Sequence, residues 1–513
     1  MKKLVCGALG AALLVTMAGC GSGGSPDGAG VIRVLAGSEL ADLKPILDQA
    51  AKDTGVTVRF DYAGTLDGVQ KVVSGAAGSR YDAIWFSSNR YLDLHPGVRT
   101  GTATPIMSSP VVLGVRPEAA ARLGWDRVRP TWAQIAAAAE RRDFTYGMTN
   151  PATSNSGFSA LTGVAGALNA GTDLDVPGIA RVAPQLTRFF SAQTLTAGSS
   201  GWLSEAFLRQ GAEVDGLVNY ESVLLSLNAS GRLAEPLTLV YPSDGVATAD
   251  YPLTLLGNAA QGSYRKLTAY LLKPDVQTRI MNEVHRRPVR GSAAFPGPRD
   301  LRELPFPGSL ETVDQLVAAF FNKIRRPART IYVIDVSGSM AGQRITDLRA
   351  ALVALTGAAD VTRFHNREQV TLIPFSTRTM PPRRFLIPET DPGAELRRIR
   401  TFAEGLRPGG GTAIYSGLTA AYAIARAQVA QDPDRFTSIV LMTDGENANG
   451  ITLGDFRTSL PRVAVKGVPV FPILFGTARE KEMNEVAQLT GGRAFDARAQ
   501  SLESVFREIR GYQ

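Results

Sequence analysis

The 513-residue sequence predicts an α/β protein in three units, two α/β lobes followed by a complete doubly wound domain. Three observations lead there. Strand-like apolar runs alternate with helical periodicity along nearly the whole chain. Pro305, Pro307 and Gly308 break that alternation into two series. The chain is also several times the length of an ordinary domain, with a globular composition of 44% hydrophobic and 20% charged residues. No apolar run reaches the roughly 18 residues of a membrane span, which excludes a multipass membrane protein.

The elements begin after a processed start. Lys2 and Lys3 form a basic region, Leu4 to Val15 an apolar one, and Met17-Ala18-Gly19-Cys20 a stretch of small residues ending in cysteine. This resembles a bacterial lipoprotein signal, with Met17 departing from the Leu that motif prefers. The resemblance implies a signal peptide over 1–19, a lipidated Cys20, and a protein held by its lipid anchor at the cell membrane, on the extracytoplasmic face. Cys6 and Cys20 are the two cysteines, so no internal disulfide or Cys-ligated zinc site forms. Residues 20–30 are Gly- and Ser-rich, the composition of a flexible tether. Gly19, Gly21 and Gly24 spell G-x-G-x-x-G, but no strand precedes them and cleavage would divide them, so no dinucleotide site is read there. The net charge, +8 overall, is too diffuse for nucleic-acid binding.

Residues 31–305 form the first series. Strands are predicted at Val31 to Ala36, Val56 to Tyr62 and Asp82 to Phe86, with helices over Leu40 to Asp53, ended by Gly55, and near Val69 to Ala76. A further set starts at Pro110 to Val115, with a helix over Trp132 to Arg141 and strands at Thr145 to Met148 and Asp215 to Asn219. The chain is predicted to return at Leu237 to Tyr241, before helices near Ala259 to Leu272 and Asp275 to His285. Residues 306–329 then carry an apolar-periodic helix, Leu310 to Ile324, and a basic stretch of Lys323, Arg325, Arg326 and Arg329 expected to be a solvated linker.

Residues 330–513 form the second series. Strands Thr330 to Ile334, Val370 to Phe375, Ser438 to Met442 and Val468 to Phe475 alternate with helices Arg344 to Leu355, Ala394 to Glu404, Ala413 to Ala430, Leu453 to Val463, Glu480 to Leu489 and Leu502 to Ile509. Short strands lie near Phe385 to Ile387 and near Ala494.

The sharpest motif is Asp335-Val336-Ser337-Gly338-Ser339, directly after an apolar strand, where open α/β sheets bind ligands. Asp444 ends a second strand, and Thr412 follows Gly409-Gly410-Gly411 at a helix start. Singly these read as caps and turns. Together they offer hydroxyls and carboxylates to one crevice, an oxygen-only set suited to a hard divalent cation, most naturally Mg²⁺, with Mn²⁺ or Ca²⁺ possible. Glu446 and Asn447 extend the loop as rim residues. The constellation resembles the metal-ion-dependent adhesion site (MIDAS) of von Willebrand factor A (VWA) domains, with Asp335, Ser337 and Ser339 matching D-x-S-x-S, Thr412 the threonine and Asp444 the later aspartate. The resemblance implies a Rossmann-like fold that binds a protein partner through an acidic group completing the metal's coordination.

Residues 31–305 resemble a type II extracellular solute-binding protein, a two-lobed periplasmic-binding-protein-like receptor. Leu35-Ala36-Gly37-Ser38, Tyr81 to Trp85 with Ser87 and Ser88, Asn150 to Gly157, Val218 to Glu221 and Tyr241 to Gly245 carry the likeness. It implies solute contacts at Ser38, Ser87, Ser154, Ser156 and Tyr220, at turns whose hydroxyls and free N–H groups suit an anion. Helix capping accounts for the serines equally well, and a hinge role for Tyr220 and Glu221.

No catalytic set is present: no Walker loop, no H-E-x-x-H and no G-x-S-x-G. His95, His285 and His365 are scattered, and Ser263-x-x-Lys266 falls inside a predicted helix. The expectation is a non-enzymatic lipoprotein that binds a protein partner through the divalent-metal site of its VWA-like domain, with the two-lobed region sensing a solute or serving as a second interaction module; a solute receptor of a transport system with an accessory VWA-like domain is the alternative.

Overall fold

The computed structural model describes residues 30–210, 213–290, 295–357, 363–476, 479–498 and 502–512. The signal peptide, Cys20 and the tether through residue 29 lie outside the described residues. Among the described residues no helix is long and apolar enough to cross a membrane.

The first lobe is built on a five-stranded sheet of β1 (Gly30–Ala36), β2 (Val56–Tyr62), β3 (Ala83–Trp85), β4 (Ala103–Pro105) and β11 (Pro252–Leu255), in the order β2-β1-β3-β11-β4. β1, β2 and β3 are parallel, and β11 runs against them. The helix Lys44–Thr54 between β1 and β2 opens on Pro45 and stops at Gly55, whose φ of 72° needs no Cβ. The second lobe contains β5 (Met107–Val115), β6 (Tyr146–Thr149), β7 (Gln193–Ala197), β8 (Gly216–Tyr220), β9 (Thr238–Val240), β10 (Thr248–Ala249) and β12 (Arg287–Pro288). Its path is β10-β5-β8-β6-β7, with β9 and β12 also pairing with the long β5. Helix Trp132–Glu140 starts on a Thr131–Gln134 capping box, and helix Val176–Ser191, which the sequence reading did not find, starts on Asp175 with Pro177 in its first turn.

The crossings between lobes differ from the prediction. The chain leaves the first lobe between Pro105 and Met107 and returns between Ala249 and Pro252, where consecutive strands belong to different sheets. Leu237 to Tyr241 and Tyr220-Glu221 stay in the second lobe: β8 runs straight into helix Glu221–Ala229. The real return carries a mark the sequence hides, since Tyr251 sits there at φ 41°, in the left-handed region costly for an aromatic residue.

After Ser309 caps it, helix Leu310–Ala319 continues as a π-helical turn, Phe320–Ile324. The third unit has one sheet of β13 (Ala328–Asp335), β14 (Gln369–Phe375), β15 (Arg383–Leu386), β16 (Phe436–Thr443), β17 (Val470–Leu474) and β18 (Phe495–Asp496). The order is β15-β14-β13-β16-β17-β18, parallel except for β15. Every residue of β13 is buried, as a central parallel strand covered by helices on both faces must be.

The basic stretch is not a solvated linker. Lys323 is exposed, but Arg325 and Arg329 are 5% and 1% exposed. Arg329 donates to Gln369 Oε1 and Thr437 Oγ1, and Arg325 pairs with Glu368. Composition alone cannot distinguish a solvated guanidinium from one whose acidic partner lies about 40 residues away.

The three units dock as one body. An apolar cluster runs from Leu203 and Phe207 of the second lobe into Phe471, Val505 and Ile509 of the third unit. Around it, Arg142 pairs with Asp434, Lys466 with Glu213, and Arg493 lies over the Trp202 ring at 4.3 Å. Asp434 and Lys466 precede β16 and β17, so docking uses the amino ends of the parallel strands. The C-terminal helix, Leu502–Arg510, reaches both lobes. Arg507 pairs with Asp67 of the first, and the Arg510 carbonyl accepts from Asn150 Nδ2 of the second.

Candidate functional site

The carboxyl ends of β13 and β16 build the cluster. β13 ends at Asp335, and the chain turns because Asp335 Oδ1 accepts the Ser337 N–H at 2.8 Å. The Ser337 and Ser339 hydroxyls lie 3.0 Å apart, and Ser339 donates to Asp444 Oδ1 at 2.8 Å. The glycine loop is stitched alongside, with Gly409 N–H donating to the Val336 carbonyl and Gly338 N–H to the Gly410 carbonyl. Gly411 is required by contact, since a Cβ there would fall 1.9 Å from Asn449 Oδ1, the atom that accepts the Thr412 N–H. A Cβ on Gly445 would lie 3.7 Å from Ser339 Oγ and 3.9 Å from Thr412 Oγ1, which places both hydroxyls beside the same turn.

Asp335 and Asp444 are both 0% exposed, while Ser339, Gly409, Gly410 and Glu446 are exposed at the rim. Burial, aided by the neighbouring Asp444 charge, pushes the Asp335 carboxyl above its ordinary value, although Ser337 and Thr443 donate to it. Of the two buried carboxylates, Asp444 already pairs with the Arg344 guanidinium, while Asp335 accepts from Ser337 and Thr443. Among the described residues no three His, Cys, Asp or Glu side chains gather, so a cation here would rest on hydroxyls and two carboxylates. Ser337, Ser339, Thr412, Asp335 and Asp444 fit a hard divalent ion that keeps some of its water.

The sequence reading missed four residues of this site: Thr443, Asn449, Arg344 and Gly476. Thr443 Oγ1 donates to Asp335 Oδ2 at 2.7 Å. Arg344, on helix Gln343–Ala354, pairs with Asp444 Oδ2 and donates to the Ser339 carbonyl at 3.1 Å. A Cβ on Gly476 would lie 2.8 Å from the Arg344 Cζ, so that glycine opens the slot for the guanidinium. Only the five-residue spacing from Ser339 could have signalled Arg344. Of the rim residues, Glu446 pairs with Arg479, and Asn447 donates to the Ile451 carbonyl.

The five residues expected to touch a solute do not form one open surface. Ser38 is exposed, whereas Ser87, Ser154, Ser156 and Tyr220 are 2%, 6%, 1% and 0% exposed. Ser156 Oγ lies within hydrogen-bond distance of Thr149, Ser154 and Ser200, a network inside the second lobe. The Tyr220 hydroxyl lies 3.1 Å from Ser159 Oγ, and its ring packs edge-on against Tyr251. A cavity of about 800 Å³ opens elsewhere, between the first lobe, the connecting helix and the C-terminal helix, with Asp67, His95, Phe321 and Arg507 in its wall. His365 stacks on Phe321, and Ser263 and Lys266 lie on helix Gln261–Leu271.

Residues 32–282 match the family described as bacterial extracellular solute-binding protein, and residues 331–508 match the von Willebrand factor type A domain. The chain is 32% identical over 144 residues to human (Homo sapiens) inter-alpha-trypsin inhibitor heavy chain H4, covering 28% of this chain and 15% of that protein. It is 30% identical over 178 residues to heavy chain H3 of Mesocricetus auratus, covering 33% and 19%. The chain thus spans less than a fifth of these relatives' length. Among solved structures, the periplasmic binding protein AfuA of Actinobacillus pleuropneumoniae aligns over 57% of this chain and 98% of its own, at 10% identity and a TM-score of 0.43. A periplasmic thiamin binding protein aligns over 56% and 95%, at 12% identity and a TM-score of 0.42. By its two family matches, the protein joins a solute-binding-type region to a VWA domain.

Proposed function

We propose that this chain is a non-enzymatic lipoprotein, anchored through Cys20 on the extracytoplasmic face of the cell membrane. Its VWA domain binds a protein partner through a divalent cation. Ser337, Ser339 and Thr412 hold the ion, Asp335 and Asp444 act largely through its water, and an acidic side chain of the partner completes the coordination. One observation carries the reading: three hydroxyls and two buried carboxylates converge at the carboxyl ends of β13 and β16, while the domain docks on its lobes by the opposite, amino ends of the strands. The exposed rim of Ser339, Gly409, Gly410 and Glu446 is thereby left to a partner. Mg²⁺ suits this oxygen set best, since it retains water and accepts neutral hydroxyls.

Isothermal titration of Mg²⁺, Mn²⁺ and Ca²⁺ into the mature chain, beside Asp335→Ala, tests the metal. Capture of envelope proteins in Mg²⁺ against chelator then tests the partner. Binding lost in D335A supports the reading, and identical capture with metal, with chelator and in the variant overturns it. The alternative, delivery of a solute to a transporter, rests on the likeness of residues 32–282 to solute-binding proteins; the burial of Ser87, Ser154, Ser156 and Tyr220 weighs against it.

A further inference from the structure

The place where a solute would bridge the lobes is crossed by the chain's own side chains. Glu39 leaves the first lobe in the 3-10 turn Ser38–Leu43, and its two carboxylate oxygens accept from Asn155 Nδ2 of the second lobe at 3.0 and 3.3 Å. The other end of that amide is fixed as well, since Thr65 Oγ1 of the first lobe donates to Asn155 Oδ1 at 2.7 Å. The amide is thus oriented by partners on both its atoms and is 2% exposed.

The backbones are shaped to allow this approach. A Cβ on Gly37 would fall 2.3 Å from Asn155 Nδ2 and 2.6 Å from both Glu39 carboxylate oxygens. One on Gly64 would fall 2.3 Å from the Thr153 carbonyl. Gly37 and Gly64 of the first lobe therefore approach the second lobe more closely than a Cβ would permit. Arg286, 0% exposed and next to the β12 strand of the second lobe, donates to the Glu39 carbonyl at 2.9 Å and to both Asp42 oxygens at 2.8 Å. Its guanidinium lies 5.2 Å from the centre of the Tyr251 ring. Tyr251 itself is pinned at the return crossing, where its carbonyl accepts from Trp85 Nε1 and its N–H donates to the Ser87 carbonyl.

We infer that the cleft holds a carboxylate-binding site whose ligand is Glu39 of the same chain, so that the lobes close on a built-in anion rather than on a free solute. Asn155 supplies the donor, Thr65 orients it, and Arg286 holds the turn that presents the carboxylate. Burial between the lobes pushes the Glu39 carboxyl above its ordinary value while the Asn155 bond opposes the shift, as expected of a carboxylate taken out of water and given a donor in return.

The test uses the full mature chain, with sodium formate as a diffusible carboxylate and sodium chloride at equal ionic strength as control. In Glu39→Ala, amide exchange in residues 37–43, 63–66 and 152–157 rises by about tenfold or more, the change that loss of one charge-assisted hydrogen bond implies. Formate then slows exchange and raises Tm where chloride does not. The wild type responds to neither salt, and Glu39→Gln exchanges between wild type and E39A, because its side-chain carbonyl still accepts from Asn155 but without the charge. Should E39A fail to fold, Asn155→Ala reports the same contact from the other lobe: its loops open, and formate does not close them because the donor is gone. Unchanged exchange in the folded alanine variants, equal effects of formate and chloride on E39A, or formate closure of N155A would each overturn the inference.

Discussion

Replacing Glu368 by Ala tests the energetic centre of the docked assembly. Glu368 precedes β14 and is 1% exposed. Its two oxygens accept from Arg510 Nη2 at 2.8 and 2.9 Å, and it also pairs with Arg325. Both arginines are 5% exposed, and Arg325 lies over the Phe321 ring. The figure of 0–1 kcal/mol for surface ion pairs does not apply to groups so desolvated. Deleting the acid takes the Glu368 charge from two buried guanidinium groups, and removing one partner of such a set costs about 3–5 kcal/mol. Replacing all three residues by apolar ones of similar size is neutral or stabilising in comparable cases, so E368L/R325M/R510M recovers most of the loss. Urea denaturation at fixed pH, followed by Trp fluorescence and by exchange in the C-terminal helix, measures both. The two arginines hold the Glu368 carboxyl at about 2. A carboxyl so depressed stabilises the fold fully above its unfolded value near 4.5, and the contribution fades as pH falls from there towards 2. The gap between wild type and E368A is therefore full at pH 7 and narrows below pH 4. A single-variant loss under about 1 kcal/mol, or a triple variant no better than E368A, would refute the reasoning.

Three further outcomes follow from the geometry. At Mg²⁺ a hundredfold above its Kd, the wild-type chain gains about 2.7 kcal/mol of stability and D335A gains none, read by thermal denaturation with and without chelator. Gly492→Ala puts a methyl 1.9 Å from the Val470 carbonyl, an overpacking that costs about 1–3 kcal/mol and lowers the Tm; an unchanged Tm would contradict the packing of that loop on β17. Thr452 caps helix Leu453–Val463, accepting the Asp455 N–H at 3.1 Å while Asp455 accepts the Thr452 N–H at 2.9 Å. Thr452→Ala therefore costs about 1 kcal/mol and Thr452→Ser far less, by the same urea titration.

The VWA unit was legible in the sequence because its information is local. Fully buried parallel strands read as apolar runs, and Asp335, Ser337 and Ser339 sit together at the end of one of them. Asp444 and Thr412 could be placed because each follows an element that periodicity identifies. Arg344 and Asn449 could not, since their roles depend on where side chains meet across loops 37 and 100 residues away in sequence. The lobes were harder for the same reason. The sequence reading puts the return crossing at Leu237–Tyr241, yet β9 there joins the second-lobe sheet and the true crossing is two residues, Asp250 and the strained Tyr251. Glu39 carries no signal in the sequence, because an acidic residue at a helix start has an ordinary explanation in the helix dipole, and nothing local points to an asparagine 116 residues on.

The two functional readings make opposite demands on motion, which lets the fold weigh between them. A receptor that delivers a solute must have an open state, with the solute favouring the closed one by differential affinity. Here the closed state has contacts of its own: Glu39 and Thr65 meet Asn155 across the cleft, and the C-terminal helix ties Asp67 of one lobe and Asn150 of the other to the third unit. Opening would break all of these, and a solute would have to displace Glu39 from its donor first. An adhesion surface has the reverse requirement. A partner binding Ser339, Gly410 and Glu446 at the carboxyl ends of the strands gains affinity when those loops are already ordered, because less conformational freedom is lost on contact. The same parallel sheet that gathers the carboxylates at one end of its strands docks by the other end, so closing the lobes and fixing the third unit upon them leaves the face of the proposed cation site accessible. On this argument the contacts across the cleft favour the proposed adhesion reading, in which the solute-binding-type region would be a closed base for the VWA domain, over solute delivery.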